Sequence, residues 1–158
     1  MKIRFKTFAA CIALPLAVGG LSAFLTKNSM STFKELKKPP FSPPGWLFPI
    51  VWTILFVCMG IASYRIVLTE WSRDRSKALL LYGLQLAVNF VWPLLFFRAE
   101  KYVLSFAWLA LLWYLVYECH AAFRMISGKA AALLVPYLVW LTYAGYLNFG
   151  ICVLNRGK

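Results

Sequence analysis

Acidic side chains and histidine are scarce in this chain, and their scarcity excludes several kinds of active site. The 158 residues include five Asp and Glu together and one His. One His cannot build a bis-His haem site or a His-rich zinc site. No H-E-x-x-H, G-x-S-x-G or phosphate-loop motif occurs. Hydrolytic and metal-dependent catalysis are therefore not expected, and no metal site is predicted.

Paired cysteines and buried charges are also missing. The four cysteines show no C-x-x-C spacing, so we interpret them as small apolar residues rather than as metal ligands or redox pairs. A proton-coupled transporter needs a chain of buried charges. Here Glu118 and His120 are the only ionisable side chains well inside an apolar run. Either they have a functional role within the membrane, or they reach the headgroups from the end of that run.

Charge of any kind is infrequent, which excludes an ordinary soluble domain. Charged residues make up 14% of the chain and hydrophobic residues 62%, against about a quarter and about a half in soluble proteins. The charges separate five apolar runs, each long enough for a helix to cross ~30 Å of hydrocarbon. We predict an all-α membrane protein, a single domain over 1–158 built as a five-helix transmembrane bundle. The predicted helices are approximately 7–26, 44–65, 78–97, 102–123 and 130–154.

Two features of the charge pattern have alternative interpretations. The first apolar run follows Lys2, Arg4 and Lys6 and contains Leu21-Ser22-Ala23, which is typical of a signal peptide. Its length instead favours a retained helix.

The net charge of +12 would suggest nucleic acid for a soluble protein, but basic residues at helix ends contact lipid headgroups. No nucleic-acid partner is expected, and Lys and Arg are too evenly distributed to fix the orientation.

A proline-rich segment precedes the second run. Four prolines lie within six residues, in the sequence K-P-P-F-S-P-P-G-W that begins at Lys38. Proline fixes φ and disfavours helix in the residue before it, so no helix can begin before about Pro43–Pro44. We predict a long ordered loop between the first two helices, which covers a pocket.

Tryptophan and amide side chains share helix faces in three of the runs. Gln85, Asn89 and Trp92 are spaced by 4 and 3 residues, and Tyr137 and Trp140 precede Asn148 on one face. Amides are costly against lipid, so these faces should point inward. Together with Trp52 they predict either an aromatic pocket for a flat apolar ligand or an ordinary bundle core held by amide hydrogen bonds.

Small residues form a stripe on the first helix. Ala9, Ala13, Ala17 and Gly20 recur at helical spacing. Such a stripe allows close helix packing in lipid. It predicts either packing inside the bundle or a homodimer interface.

Four motifs together resemble the TspO/MBR family, which contains the tryptophan-rich sensory proteins and the mitochondrial translocator protein, the peripheral benzodiazepine receptor. They are the proline motif continuing to V-W at Trp52, M-G-I-A-S-Y at Met59–Tyr64, N-F-V-W-P-L-L-F-F at Asn89–Phe97, and P-Y-L-V-W-L-T-Y-A-G-Y-L-N-F at Pro136–Phe149. The resemblance covers nearly the whole chain. It implies a five-helix bundle whose pocket opens beneath the first loop.

The resemblance also implies a ligand class and a site. Family members bind porphyrins, sterols and benzodiazepine-type ligands, so protoporphyrin IX or haem is an expected ligand, with no obligatory cofactor. Its propionates are expected near Lys37 and Lys38. Phe33 stands where many members have a loop Tyr. The predicted ligand-binding residues are Phe33, Pro43, Pro44, Trp52, Phe56, Asn89, Trp92, Tyr137, Trp140, Ala144 and Asn148.

Three functions follow as hypotheses. The first is a tetrapyrrole receptor or transporter with a regulatory or stress-sensing role. We expect it to form a homodimer in a bacterial membrane, in contact with the lipids. The second is an enzyme that degrades protoporphyrin with light and oxygen, in which Trp52 and Trp140 would act. The third is a sterol- or lipid-binding or protein-interaction regulator. The family's fifth-helix cholesterol motif is not matched, because Phe149 replaces its Tyr and Arg156 lies outside its window.

Overall fold

The computed structural model describes residues 4–29 and 34–155. Within those ranges the chain is helical without strands, and five segments are long and apolar enough to cross a membrane. The predicted fold class and number of spans are therefore confirmed. The helices are α1 (Phe5–Thr26), α2 (Leu47–Val67), α3 (Arg73–Pro93), α4 (Tyr102–Arg124), α5 (Gly128–Leu133) and α6 (Val135–Leu154).

The helices form a ring in which each span packs on at least two others, and α2 also packs on α3. α1 packs on α2 and α3, α3 packs on α4, and α4 packs on α5 and α6. α2 completes the ring through α5. α5 and α6 together make the fifth span, Gly128–Leu154. The first apolar run is thus a packed helix of the bundle, as the retained-helix interpretation expected.

The first half of α1 lies directly against the backbone of α2. A Cβ added to Gly60 would lie 2.8 Å from the carbonyl oxygen of Cys11 and 2.8 Å from the Cα of Ile12. Only glycine allows two helix backbones to approach this closely in lipid. Gly19 likewise faces the ring of Phe56. The predicted stripe of Ala9, Ala13, Ala17 and Gly20 is exposed instead, so it does not pack inside the bundle.

The second half of α1 leans toward α3. The Ser22 hydroxyl donates to the carbonyl oxygen of Phe90 over 3.1 Å, and α1 also packs on the π-helical turn Leu94–Arg98 that follows α3. A buried proline, Pro15, lies between the two halves, and a proline within a helix removes one ladder hydrogen bond and permits bending. α1 therefore contacts α2 first and α3 later, which leaves a wedge between α1 and α2.

The start of α2 differs from the prediction. The helix was expected from Pro43–Pro44 but begins at Leu47. The reason is local, because the amide of Leu47 makes a turn bond to the carbonyl of Pro44 over 3.0 Å. The two prolines therefore belong to the loop rather than to the first helical turn.

Two other helix boundaries also differ from the hydropathy-based prediction. α3 begins at Arg73 rather than near residue 78, because Ser72 caps it by accepting the amide of Arg75 over 3.0 Å. The fifth span was expected to be continuous from residue 130. It begins at Gly128 and is interrupted at Leu134, just before Pro136. Polar capping residues and proline determine these boundaries, and an apolar run does not show them.

The described part of the first loop is tied to α6. The carbonyl of Pro40 accepts the Tyr146 hydroxyl over 2.7 Å, and the carbonyl of Phe41 accepts the hydroxyl of Tyr143. Just after α6, the side chain of Asn155 makes two hydrogen bonds to the backbone of Lys37. Its Nδ2 donates to the Lys37 carbonyl over 2.8 Å, and its Oδ1 accepts the Lys37 backbone N–H over 3.2 Å. The loop is therefore ordered over this stretch. Phe33, one of the predicted site residues, lies outside the described residues.

The glycine contact between α1 and α2 generates a prediction for stability. Gly60→Ala should lower the free energy of unfolding of the detergent-solubilised protein by about 1–3 kcal/mol, and with it the melting temperature, since the new methyl group forces the backbones apart. Gly83→Ala is the matched control, because no atom lies within 4 Å of its Cβ position. That control should be neutral or stabilising by up to ~1 kcal/mol. Equal melting temperatures for the two variants would contradict the close approach.

Candidate functional site

A cavity of about 450 Å³ occupies the wedge between α1 and α2. Its volume lies in the usual range for small-molecule sites, roughly 300–1,000 Å³. α3 forms its inner wall, and apolar or aromatic side chains dominate its lining. Four predicted site residues line it, namely Trp52, Phe56, Asn89 and Trp92.

The aromatic wall of this cavity is preorganised. Trp52 and Phe56 stack with ring centroids 5.5 Å apart, on successive turns of α2. Trp92 is buried, and its indole N–H donates to the Asn148 side chain over 3.2 Å. A stacked ring pair and a hydrogen-bonded indole present flat faces at little entropic cost.

A second, much smaller cavity of about 20 Å³ lies beneath the loop. Four predicted residues line it, namely Pro43, Trp92, Ala144 and Asn148. Phe48, Trp92 and Phe97 line both cavities. These three aromatic side chains therefore form the partition between the space beneath the loop and the larger space beside α1.

Tyr137 and Trp140 support the larger cavity from behind. Trp140 packs edge-on against Trp52 at 6.4 Å and against Phe48 at 5.8 Å, while Tyr137 meets Trp52 at 6.1 Å. Both residues lie outside the lining of either cavity. The structure thus places Trp52 and Trp92 at the cavity and Trp140 one ring further in. Pro44 is exposed and lines neither space.

A buried amide network fixes the side of α3 that faces the bundle interior. Asn89 donates to the Tyr137 hydroxyl over 2.5 Å, and that hydroxyl donates to Gln85 over 2.8 Å. Asn148 donates to the carbonyl of Tyr102 over 2.9 Å while it accepts the Trp92 indole. The prediction that the amide faces point inward is therefore confirmed, and the pocket and the hydrogen-bonded core coexist.

The wall that α1 contributes was not predicted from the sequence. This wall begins one helical turn before Gly19 and ends at Lys27. Its members are small or apolar, so their pattern is that of any transmembrane helix, and the available signal was the pair Gly19-Gly20. The residues of α1 and of the turn after it that line the cavity are Leu16, Gly19, Gly20, Ser22, Ala23, Thr26 and Lys27.

The two lysines expected near a ligand, Lys37 and Lys38, do not line the larger cavity. Lys38 lines the small cavity, and Lys37 is exposed at the loop. Lys27 is the one charged side chain among the described residues that line the larger cavity. Glu118 and His120 lie in neither lining. The Nδ1 atom of His120 is 2.9 Å from the carbonyl oxygen of Ala131, so this ring links α4 to α5.

The arrangement is suited to binding rather than to acid–base chemistry. Trp52 and Trp92 provide flat apolar faces, and the Asn89 amide nitrogen is already engaged with Tyr137. Apart from Lys27, the described lining residues carry no charge. A flat, largely apolar molecule matches this lining.

The amide network generates a second prediction. Tyr137→Phe should lower the free energy of unfolding by about 1–2 kcal/mol, because the change leaves buried Gln85 and Asn89 without their shared partner. Thermal unfolding in detergent measures the loss. The control is Tyr114→Phe, which alters an exposed tyrosine of α4 and should change little. If Tyr137→Phe matches that control, the network contributes no stability.

Comparison with known proteins assigns the chain to a family. The TspO/MBR family model matches residues 11–154. The tryptophan-rich protein TspO of Chlorobaculum tepidum is 40% identical over 157 residues, covering 98% of this chain and 99% of the relative. The tryptophan-rich sensory protein of Cereibacter sphaeroides is 34% identical over 154 residues, covering 98% and 92%. The translocator protein of Ovis aries is 38% identical over 128 residues, covering 80% and 76%.

The resemblance inferred from the motifs is thereby confirmed. The five membrane-spanning segments make the protein a multi-pass integral membrane protein, and the bacterial relatives support a bacterial membrane as its location. The chain belongs to the TspO/MBR family.

Proposed function

We propose that this protein is a membrane receptor that binds tetrapyrroles such as protoporphyrin IX, and related flat apolar molecules, with a regulatory or transport role. The observation that carries the proposal is the cavity of about 450 Å³ walled by Trp52 and Trp92. The names of the relatives, sensory protein and translocator protein, agree with a receptor-like or transporter-like role.

The lining supports a macrocyclic ligand in two ways. The stacked pair Trp52 and Phe56 presents aromatic surface along α2, and a tetrapyrrole ring can stack on such a surface. Burying apolar area at roughly 25 cal/mol per Å² then favours the cavity over water. The exposed alanines Ala9, Ala13 and Ala17, which lie outside the cavity lining, support the further proposal of a homodimer.

A specific chain of rings favours light-driven porphyrin breakdown as a second function. Trp52, at the cavity, contacts Trp140 at 6.4 Å, and Trp140 contacts Tyr143 at 5.5 Å. An indole in contact with a photoexcited ring can donate an electron to it, and molecular oxygen would be the final oxidant. The indole N–H of Trp140 is buried and lacks a hydrogen-bond partner among the described residues, so an oxidised Trp140 would lose its proton slowly.

The binding proposal predicts a graded effect at Trp52. Trp52→Ala should weaken protoporphyrin IX binding by about fivefold or more, and Trp52→Phe by less, because the ring supplies stacking surface worth on the order of 1 kcal/mol. The measurement is a titration of detergent-solubilised protein in the dark, followed through the absorbance of the bound porphyrin.

The matched control for this titration is Trp71→Ala, which removes a tryptophan that is 75% exposed in the turn between α2 and α3. Its affinity should equal that of the wild type. Unsaturable binding that is the same in all four proteins would mean that the porphyrin only partitions into the micelle.

The proposed light reaction makes a separate prediction, for the rate at which bound porphyrin decays rather than for its affinity. Under visible light, bound protoporphyrin should decay faster than the free compound in the same detergent. Trp52→Phe should slow this decay strongly and Trp140→Phe partly, since Trp140 lies one ring further from the cavity. Decay rates must be compared at equal occupancy. Equal rates for both variants and the wild type would identify simple photosensitised bleaching.

A further inference from the structure

The larger cavity opens sideways, between two helices, toward the space where lipid would lie. Gly20 and Ala23 of α1 are exposed at its edge, and so are Pro49 and Thr53 of α2. Of the described loop residues between Lys34 and Trp46, only Gly45 reaches its lining. The loop instead covers the small cavity beside α6, through residues such as Pro43.

The opening follows from the course of α1. Gly60 holds the first half of α1 against α2, whereas Ser22 draws its second half toward Phe90 of α3. A Cβ added at Gly20 or at Gly45 would meet no atom within 4 Å. The gap between these glycines is therefore free space in the bundle, and its width is set by packing at both ends of α1.

Of the described residues that line this opening, only Lys27 is charged, and two threonine hydroxyls already donate to backbone carbonyls. The hydroxyl of Thr26 donates to the carbonyl of Ser22 over 3.0 Å, and that of Thr53 donates to the carbonyl of Pro49 over 2.6 Å. Lys27 stands at the end of α1, with its Nζ 4.4 Å from the centroid of the exposed Phe24 ring. A lysine at a helix end lies at headgroup depth and can contact an anion there.

We infer that the cavity admits amphipathic carboxylates directly from the bilayer. The flat apolar body enters between α1 and α2 past Gly20, and the carboxylate stays at the headgroup level against the ammonium of Lys27. The inference rests on the proposed binding function and specifies the class of ligand, its route of entry and the residue that selects its charge.

The test compares each acid with its ester. Protoporphyrin IX and its dimethyl ester share one ring system, and pyrenebutyric acid and its methyl ester provide a smaller flat pair. Each is titrated into the wild type and into Lys27→Gln. Lys27→Gln should weaken both acids roughly twofold to fivefold, the range of an exposed charge pair, and should leave both esters unchanged. Lys101→Gln, which alters an exposed lysine just before α4, should leave all four unchanged.

The route is tested by closing the opening. Gly20→Leu places a side chain in the free space and should weaken acids and esters alike by more than tenfold. Gly83→Leu is the matched control, because a Cβ at this exposed glycine of α3 also meets no atom within 4 Å. It should bind all four compounds as the wild type does.

The outcomes separate this inference from the binding proposal. If the pyrene pair follows the predicted pattern while neither porphyrin binds saturably, the route and Lys27 stand and the tetrapyrrole assignment fails. If the porphyrins bind but Lys27→Gln weakens acid and ester equally, or Gly20→Leu has no effect, the inference is overturned while the receptor remains. If no compound binds saturably to the wild type, both are overturned.

Discussion

The backbone contact between α1 and α2 at Gly60 is the constraint from which the cavity follows. It joins the first half of α1 to α2 with no side chain between them. The Ser22 hydrogen bond then holds the second half on α3. Because a helix is stiff apart from the bend that Pro15 permits, these two attachments require a wedge between α1 and α2. The wedge is where the structure places Trp52 and Trp92.

Aromatic side chains fill the space on the other side of α2. There, the gap toward α6 is occupied by rings, with Trp140 and Tyr137 both against Trp52. The network of Gln85, Tyr137 and Asn89 then fixes these rings, since a buried hydroxyl that serves two amides has one good position. A pocket wall that must present flat faces benefits from such a rigid backing.

Hydropathy and spacing were enough to predict five helices and an inward amide face, because lipid leaves the backbone few alternatives. They misplaced the start of α2 at the prolines and the start of α3, where Ser72 provides the cap. The site shows the limit more clearly. Trp52, Phe56, Asn89 and Trp92 were placed by motif and face, but the α1 wall was not, since small residues such as Gly20 serve equally for helix packing, dimer contact or open space. The path of α1 relative to α2 and α3 decides among these, and that path depends on contacts distant in sequence.

The division of roles between the loop and α1 has a functional consequence. The loop is attached to α6 by Tyr143, Tyr146 and Asn155, so moving it would break several hydrogen bonds at once. The α1–α2 opening has no such attachment at Gly20 or Gly45, where free space remains. A ligand dissolved in the bilayer would therefore meet less resistance between the helices than beneath the loop. In such a receptor the membrane itself concentrates the ligand, and the affinity that matters is measured against lipid rather than against water. Stacking on Trp52 and charge pairing at Lys27, both of which lipid tails cannot supply, would then decide which molecules stay.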